Sequence, residues 1–224
     1  MVILMTTGTI IPMITDAALL TLAQWLSPAY PVGAFSYSHG LEWAIEAQQV
    51  TNAASFRDWL TDILQHGTGR NDAILLCHAY RADDPSEIDE LARAFAPSAE
   101  RLLETEQQGA AFCRTTTAIW GDALPALTYP VALGHAAARQ GLPLQQTCAM
   151  YLHAFASNLT SAAIRLVPLG QTEGQASLTP LAPLCQTLAA EALHLTLDDL
   201  GGSVMLADIA SMKHETQYTR LFRS

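Results

Sequence analysis

The sequence SFRDWLTDILQHG spans residues 55–67 and sets the fold class of this 224-residue chain. Its apolar side chains stand at positions 56, 59, 60, 63 and 64. The spacing i, i+3, i+4, i+7, i+8 places them on one face of an α-helix rather than on one face of a strand. Ser55 is a residue type that caps helix N-termini, and Gly67 one that ends helices. The stretch therefore predicts an amphipathic helix.

The same pattern recurs along the chain. Gly109 is the one position that could interrupt the longest helical run. No stretch shows period-two alternation or an Asn-Gly or Asp-Gly hairpin turn. We therefore predict an all-α fold, a single irregular bundle of roughly eight to ten helices with an extended C-terminal tail. Further helical runs bounded by Ser, Pro or Gly span residues 17–26, 41–48, 73–81, 87–95, 98–120, 130–141, 143–165 and 178–195.

The chain divides into three parts. Residues 1–14 are apolar and lack helix signals, so we expect a flexible N-terminal extension. Residues 15–203 form the helical domain. Residues 197–203 contain two Asp and two Gly and are typical of a linker that would hinge residues 204–224 away from the body.

Composition restricts the partners. Half of the residues are hydrophobic and only 14% are charged, compared with roughly 25% in ordinary soluble domains. Some apolar surface is therefore expected to meet a partner protein. The formal net charge of −10 argues against nucleic acid and against anionic membranes, because both need a basic face.

Residues 140–164 carry no Lys, Arg, Asp or Glu, which raises the question of a transmembrane helix. Polar side chains interrupt that run, so a buried helix is the better interpretation. The N-terminus has no basic region typical of a secretory signal. Together with four widely spaced cysteines, expected to be reduced core residues, these features favour a cytoplasmic protein.

Two stretches are unusually rich in chemistry. Residues 27–42, SPAYPVGAFSYSHGLE, contain two prolines and Gly33, which together indicate a stiff loop presenting Phe35 and Tyr37. Residues 214–224, HETQYTRLFRS, carry three apolar or aromatic residues that a free terminus does not need. Their i, i+3, i+4 spacing predicts one helical face made of Tyr218, Leu221 and Phe222. This tail either docks on its own domain or orders against another protein.

Candidate chemical sites are weak. His39 and Glu42 stand at i, i+3 and could ligate a metal or pair a base with an acid, although a hydrogen-bonded histidine is the commoner outcome. His214 and Glu215 form a second pair without a third group. Arg165 ends the long uncharged helix near its negative pole. The chain has no phosphate-binding glycine loop, no dinucleotide fingerprint and no H-E-x-x-H or G-x-S-x-G motif.

Three stretches together resemble the UreF family of urease accessory proteins. They are the loop PVGAFSYSHGLE (31–42), the turn RLVPLGQTEGQ (165–175) and the ending from Asp208 to Ser224. They occur in the family's order, and the resemblance runs from about Leu19 to the last residue.

The resemblance implies a non-catalytic, typically homodimeric chaperone of urease maturation that binds no cofactor stably. It implies partners as well: UreD/UreH, the GTPase UreG and, through them, apo-urease, so that nickel enters urease as UreG hydrolyses GTP. A buried anchor such as Tyr218 or Phe222 would contribute ~2 kcal/mol to such binding. The residues expected to bind partners are Tyr30, Pro31, Gly33, Phe35, Ser36, Tyr37, His39, Glu42, Arg165, Lys213, His214, Glu215, Gln217, Tyr218, Arg220, Leu221, Phe222 and Arg223.

Two alternatives remain open at this stage. One is a helical hydrolase that uses His39 with Glu42 or His214 with Glu215, which requires a third convergent group. The other is a nickel carrier that binds the ion through its own histidines and cysteines. Retention of nickel on a desalting column would favour the carrier.

Overall fold

A computed structural model describes residues 15–224, and the predicted N-terminal extension 1–14 lies outside these residues. The described chain is all-α, which confirms the predicted fold class. It contains eleven α-helices rather than eight to ten: α1 Asp16–Trp25, α2 Leu41–Glu46, α3 Ala53–His66, α4 Thr68–Arg81, α5 Ser86–Ala94, α6 Ala99–Trp120, α7 Tyr129–Arg139, α8 Leu144–Leu166, α9 Gln171–Leu178, α10 Leu181–Ala192 and α11 Met205–His214. Short 3₁₀ turns lie at Ala34–Ser36 and Leu197–Asp199.

The helix predicted from residues 55–67 forms, but it begins two residues earlier. Asn52 is the N-cap, and its Oδ1 accepts hydrogen bonds from the backbone N–H groups of Ala54 and Ser55 at 2.9 and 3.0 Å. Ser55 is the third helical residue, and its Oγ accepts from the Asn52 N–H at 3.1 Å. This reciprocal pair is a capping box, so Ser55 supports the cap without being the cap itself.

Helices α4, α6, α7, α8 and α10 form the centre of the bundle, with α4 against α7 as the largest contact. A row of aromatic rings fills the space beside α6. Phe112 makes edge contacts with Trp25 at 5.2 Å and with Tyr129 at 5.8 Å between ring centroids. Such pairs stabilise a core by roughly 0.5–1.5 kcal/mol each beyond the burial of apolar area.

Gly109 does not interrupt α6, which is continuous from Ala99 to Trp120. A β-carbon at this position would collide with the carbonyl oxygen of Leu127. The glycine is therefore required for the close approach of the chain that leads into α7, and its cost to helix propensity is the smaller effect.

The four cysteines are free and buried, as predicted. Burial raises the pKa of the Cys185 thiol to about 11. Among residues 15–224, no helix is long and apolar enough to cross a membrane.

Candidate functional site

The C-terminal tail, residues 215–224, lies against the body of the protein and is not helical. Three consecutive backbone N–H groups of the tail donate to the body. The N–H groups of Leu221 and Phe222 donate to the Glu42 carboxylate at 2.7 and 3.0 Å. The Arg223 N–H donates to the Ser36 carbonyl oxygen at 2.8 Å. The predicted helical face of Tyr218, Leu221 and Phe222 is therefore wrong, because these donors bond to the loop and α2 instead of to carbonyls one turn earlier.

The expectation of a terminal segment hinged away from the body also differs from the structure. Helix α11 packs on α2 and α6. Gly40 adopts φ +76°, and a β-carbon there would lie 2.6 Å from the Ser211 backbone nitrogen. The Ser98 and Ser211 hydroxyls are 2.6 Å apart at the start of α6. Close backbone contact and hydrogen bonds thus hold α11 in place.

Glu42 is paired with His214 and not with His39. The fully buried His214 ring places Nε2 3.3 Å from Glu42 Oε2 and Nδ1 2.7 Å from Glu100 Oε2. Arg220 Nη1 donates to Glu100 Oε1 at 2.8 Å. His214 therefore contacts two carboxylates, Glu42 from α2 and Glu100 from α6, and the sequence pattern indicated neither contact. The hydrogen bonds among Glu42, Glu100, His214 and Arg220 join α2, α6, α11 and the tail.

His39 serves a different purpose. It is buried at φ +60°, an uncommon conformation for a residue other than glycine, and its ring contacts the Phe155 ring edge-on at 5.2 Å. Burial, together with the nearby Arg101 charge, holds the pKa of His39 well below its ordinary value. Its Nδ1 has no hydrogen-bond partner within residues 15–224. His39 is a neutral packing residue at the turn into α2.

Phe222 fastens the tail to the loop and to α8. Its side chain is buried, and the Arg165 guanidinium carbon lies 4.4 Å from the ring centroid. The same guanidinium donates from Nη2 to the Phe35 carbonyl oxygen at 2.8 Å. Asn158 Nδ2 donates to the Ala34 carbonyl oxygen, also at 2.8 Å. Arg165 therefore stacks on the tail while it holds the loop.

Both tyrosines of the loop, Tyr30 and Tyr37, point inward. Tyr30 OH lies 2.8 Å from Thr116 Oγ1, and Tyr37 OH donates to Gln107 Oε1 at 2.6 Å. Burial raises the pKa of both phenols. Both side chains are buried and support the loop from the inside.

Other predicted residues remain outside. Tyr218 is fully exposed, Leu221 is 64% exposed and Phe35 is 68% exposed. Pro31, Lys213, Arg220 and Arg223 are exposed as well, while Gly33 and Ser36 are partly covered. Glu215 Oε1 accepts from the Ala99 N–H at 2.8 Å, and Gln217 Nε2 donates to Glu46 Oε2 at 2.5 Å. The tail thus has a buried inner side, and its outer side carries the apolar side chains of Tyr218 and Leu221 together with two arginines.

Sequence reasoning missed an internal polar cluster beside the tail. Asp72, Arg101, Glu104, Gln108 and Tyr151 line a cavity of about 600 Å³, and each is at least nine-tenths buried. Desolvation raises the pKa of Asp72 to about 6 although Tyr151 OH donates to it at 2.6 Å. The spacing i, i+3, i+7 of the three α6 residues could have indicated a polar stripe facing the core.

The tail completes this cluster. Ser224 Oγ donates to Glu104 Oε2 at 2.7 Å, and Gln108 Nε2 donates to Glu104 Oε1 at 3.0 Å. Arg101 forms an ion pair with Glu104. Within residues 15–224, no group of three or more His, Cys, Asp or Glu side chains has a geometry that could hold a metal ion.

In this helical bundle, polar groups hold the tail in place while apolar side chains of the tail and loop face outward. Comparison with known proteins shows which family the chain resembles. The family model UreF matches residues 50–182. The chain is 58% identical over 209 residues to the urease accessory protein UreF of Cereibacter sphaeroides (strain KD131 / KCTC 12085), covering 93% of this chain and 100% of that protein. It is 54% identical to the protein of the same name from Ruegeria pomeroyi, and the alignment covers 94% of this chain and 98% of that protein.

The chain belongs to the UreF family of urease accessory proteins. This confirms the resemblance found in the sequence. Members of this family are accessory proteins and not enzymes, so the hydrolase alternative fails. The geometry adds that neither predicted pair forms: Glu42 contacts His214 instead of His39, and Glu215 accepts from the Ala99 N–H.

Proposed function

We propose that this protein is a scaffold of urease maturation that bridges UreD/UreH and the GTPase UreG. In this role nickel is cargo on its way to apo-urease and is not a resident cofactor of the chain. The scaffold works in the cytoplasm as a homodimer. Its membership in the UreF family supports the role in urease maturation. The identity of the partners, UreD/UreH and UreG, is the more specific part of the proposal.

One observation carries the proposal of a partner surface. The tail is fixed by buried contacts through Glu42, Phe222 and Ser224, and yet Tyr218 and Leu221 face solvent. Exposed apolar side chains on a rigid backbone lose little conformational entropy when a partner covers them. Phe35 adds a third exposed apolar side chain, from the loop that Arg165 holds against the tail.

The test is co-expression of urease with its accessory proteins, with and without this chain, followed by measurement of nickel bound per urease active site. Near-stoichiometric nickel with the chain and apo-urease without it would support the proposal. Equal nickel content in both preparations would refute it. Co-purification of the chain with UreD/UreH and UreG tests the bridging role separately.

A further inference from the structure

A second concavity lies on the outer surface, where the loop, α6 and the tail meet. This depression of about 500 Å³ is lined by Gly33, Ser36 and Tyr37 from the loop, by Gln107 and Arg114 from α6, and by Arg223 from the tail. Three segments that are distant in sequence therefore form one surface.

The depression carries unneutralised positive charge. Arg114 and Arg223 are exposed, and within residues 15–224 neither forms an ion pair. Glu106 also lines the depression, but it forms an ion pair with Arg93. Two free guanidinium groups at one concavity are unexpected in a chain with a net charge of −10.

The Arg223 side chain is presented from a fixed backbone. Its N–H donates to the Ser36 carbonyl oxygen at 2.8 Å, and its neighbours Phe222 and Ser224 are both buried. The Tyr37 hydroxyl beside it in the depression donates to Gln107 Oε1 at 2.6 Å. Arg114 projects from the middle of the 22-residue helix α6. Neither arginine depends on a mobile segment for its position.

We propose that this depression binds Asp or Glu side chains of the partner accessory protein that covers the tail. The inference rests on the proposed function, because it takes the tail as the partner surface. A guanidinium offers two parallel N–H donors that match a carboxylate, and a pair of them favours acidic residues over neutral ones. A protein is the occupant because Arg223, which lines the depression, lies two residues after the exposed apolar side chain of Leu221.

The experiment compares wild type with the Arg114→Glu/Arg223→Glu double variant in binding to purified UreD/UreH and to purified UreG, at 50 and 300 mM salt. Arg57→Glu is the matched control, because Arg57 is an exposed arginine on α3 that forms no ion pair with any residue in 15–224. For the partner that occupies the depression, we expect the double variant to raise Kd by roughly 100-fold at low salt and to flatten its salt dependence. The control should bind as wild type does. Reversal of an acidic partner residue to Arg should restore binding to the double variant.

Kd values within about twofold of wild type for both partners, with unchanged salt dependence, would overturn the inference. Loss of self-association without loss of partner binding would also overturn it and would assign the depression to a second copy of the chain. The Tyr218→Ala/Leu221→Ala variant separates this outcome from failure of the proposed function. If that variant loses partner binding while the arginine variant does not, only the carboxylate site is wrong.

Discussion

The Glu42 carboxylate accepts a hydrogen bond from the Phe222 backbone N–H at 3.0 Å, across 180 residues of chain. The same carboxylate accepts from the Leu221 N–H at 2.7 Å and contacts His214. One buried side chain near the start of the bundle therefore fixes the conformation of the tail. Because buried backbone donors are costly to leave unpaired, Glu42 should decide whether the tail stays docked.

Replacing Glu42 by Ala leaves two tail N–H groups and His214 without their acceptor. We expect a loss of roughly 3 kcal/mol in the free energy of tail docking. Amide hydrogen exchange at Leu221 and Phe222 should therefore accelerate about 100-fold or more. Glu46→Ala, on the same helix, is the control, since within the described residues the exposed Glu46 accepts a side-chain hydrogen bond only from Gln217. Unchanged exchange in Glu42→Ala would contradict this role.

Arg165→Lys keeps the positive charge but removes the planar fork. A lysine cannot both stack on Phe222 and donate to the Phe35 carbonyl oxygen as the guanidinium does. We expect a loss of about 1 kcal/mol in tail docking, seen as faster cleavage of the tail by a protease. Arg57→Lys, which changes an exposed arginine on α3, should leave the cleavage rate unchanged. Equal cleavage rates for the two variants would contradict this role of Arg165.

Gly109→Ala tests the close approach of α6 to the chain before α7. The added β-carbon meets the Leu127 carbonyl oxygen, a backbone atom that cannot rotate away. We expect destabilisation of about 3 kcal/mol in urea unfolding, although alanine is the better helix former. Gly170→Ala is the control, because a β-carbon added there would have no atom of the described residues within 4 Å, apart from Gly170 itself and its chain neighbours. Gly109→Ala should unfold at lower urea concentration than Gly170→Ala, and the reverse order would show that the approach is not tight.

Asp72 should make stability depend on pH. Desolvation in the folded chain raises its pKa from 3.8 to about 6. Between these values the folded chain retains a proton that the unfolded chain has released, so the free energy of unfolding falls as pH rises from 4 to 6 and then levels off. The difference corresponds to roughly 3 kcal/mol at pH 7. Asp72→Asn should remove this dependence, and its stability relative to wild type should increase from pH 4 to pH 7. Parallel pH profiles in urea unfolding would contradict the raised pKa.

Local sequence patterns predicted the elements that depend on local physics. The apolar stripe of residues 55–67 and the Pro and Gly boundaries placed most helices correctly, because periodicity and capping act over a few residues. Helix α9 lies where the sequence suggested only a turn. The sequence suggested that Gly109 could break the helix. Glycine is required there because a β-carbon would collide with Leu127, and no local pattern reveals this contact.

The conformation of the tail could not be predicted from local sequence patterns. Tyr218, Leu221 and Phe222 have helical spacing, but the acceptors of the tail lie on Glu42 and Ser36, far away in the sequence. The pairing of His214 with Glu42 and Glu100 likewise requires the assembled fold. The sequence identified the loop and tail as unusual, but it could not separate inward-facing residues such as Tyr37 from outward-facing residues such as Phe35.

The structure also changes how the partner surface should be tested. Deleting residues 213–224 would remove the hydrogen-bond partners of Glu42 and the Ser224 bond to Glu104, and it would uncover the site of Phe222, so the deletion would disturb the body together with the surface. Tyr218 and Leu221 are exposed, and replacing them leaves these buried contacts intact.

The most direct measurement is therefore the affinity of the Tyr218→Ala/Leu221→Ala variant for UreD/UreH and UreG, with thermal unfolding as a check of the fold. If the tail is a partner surface, the melting temperature should stay within about 2 °C of wild type while the Kd for at least one partner rises roughly 100-fold. Wild-type affinity for both partners in a folded variant would show that the outer side of the tail does not bind them.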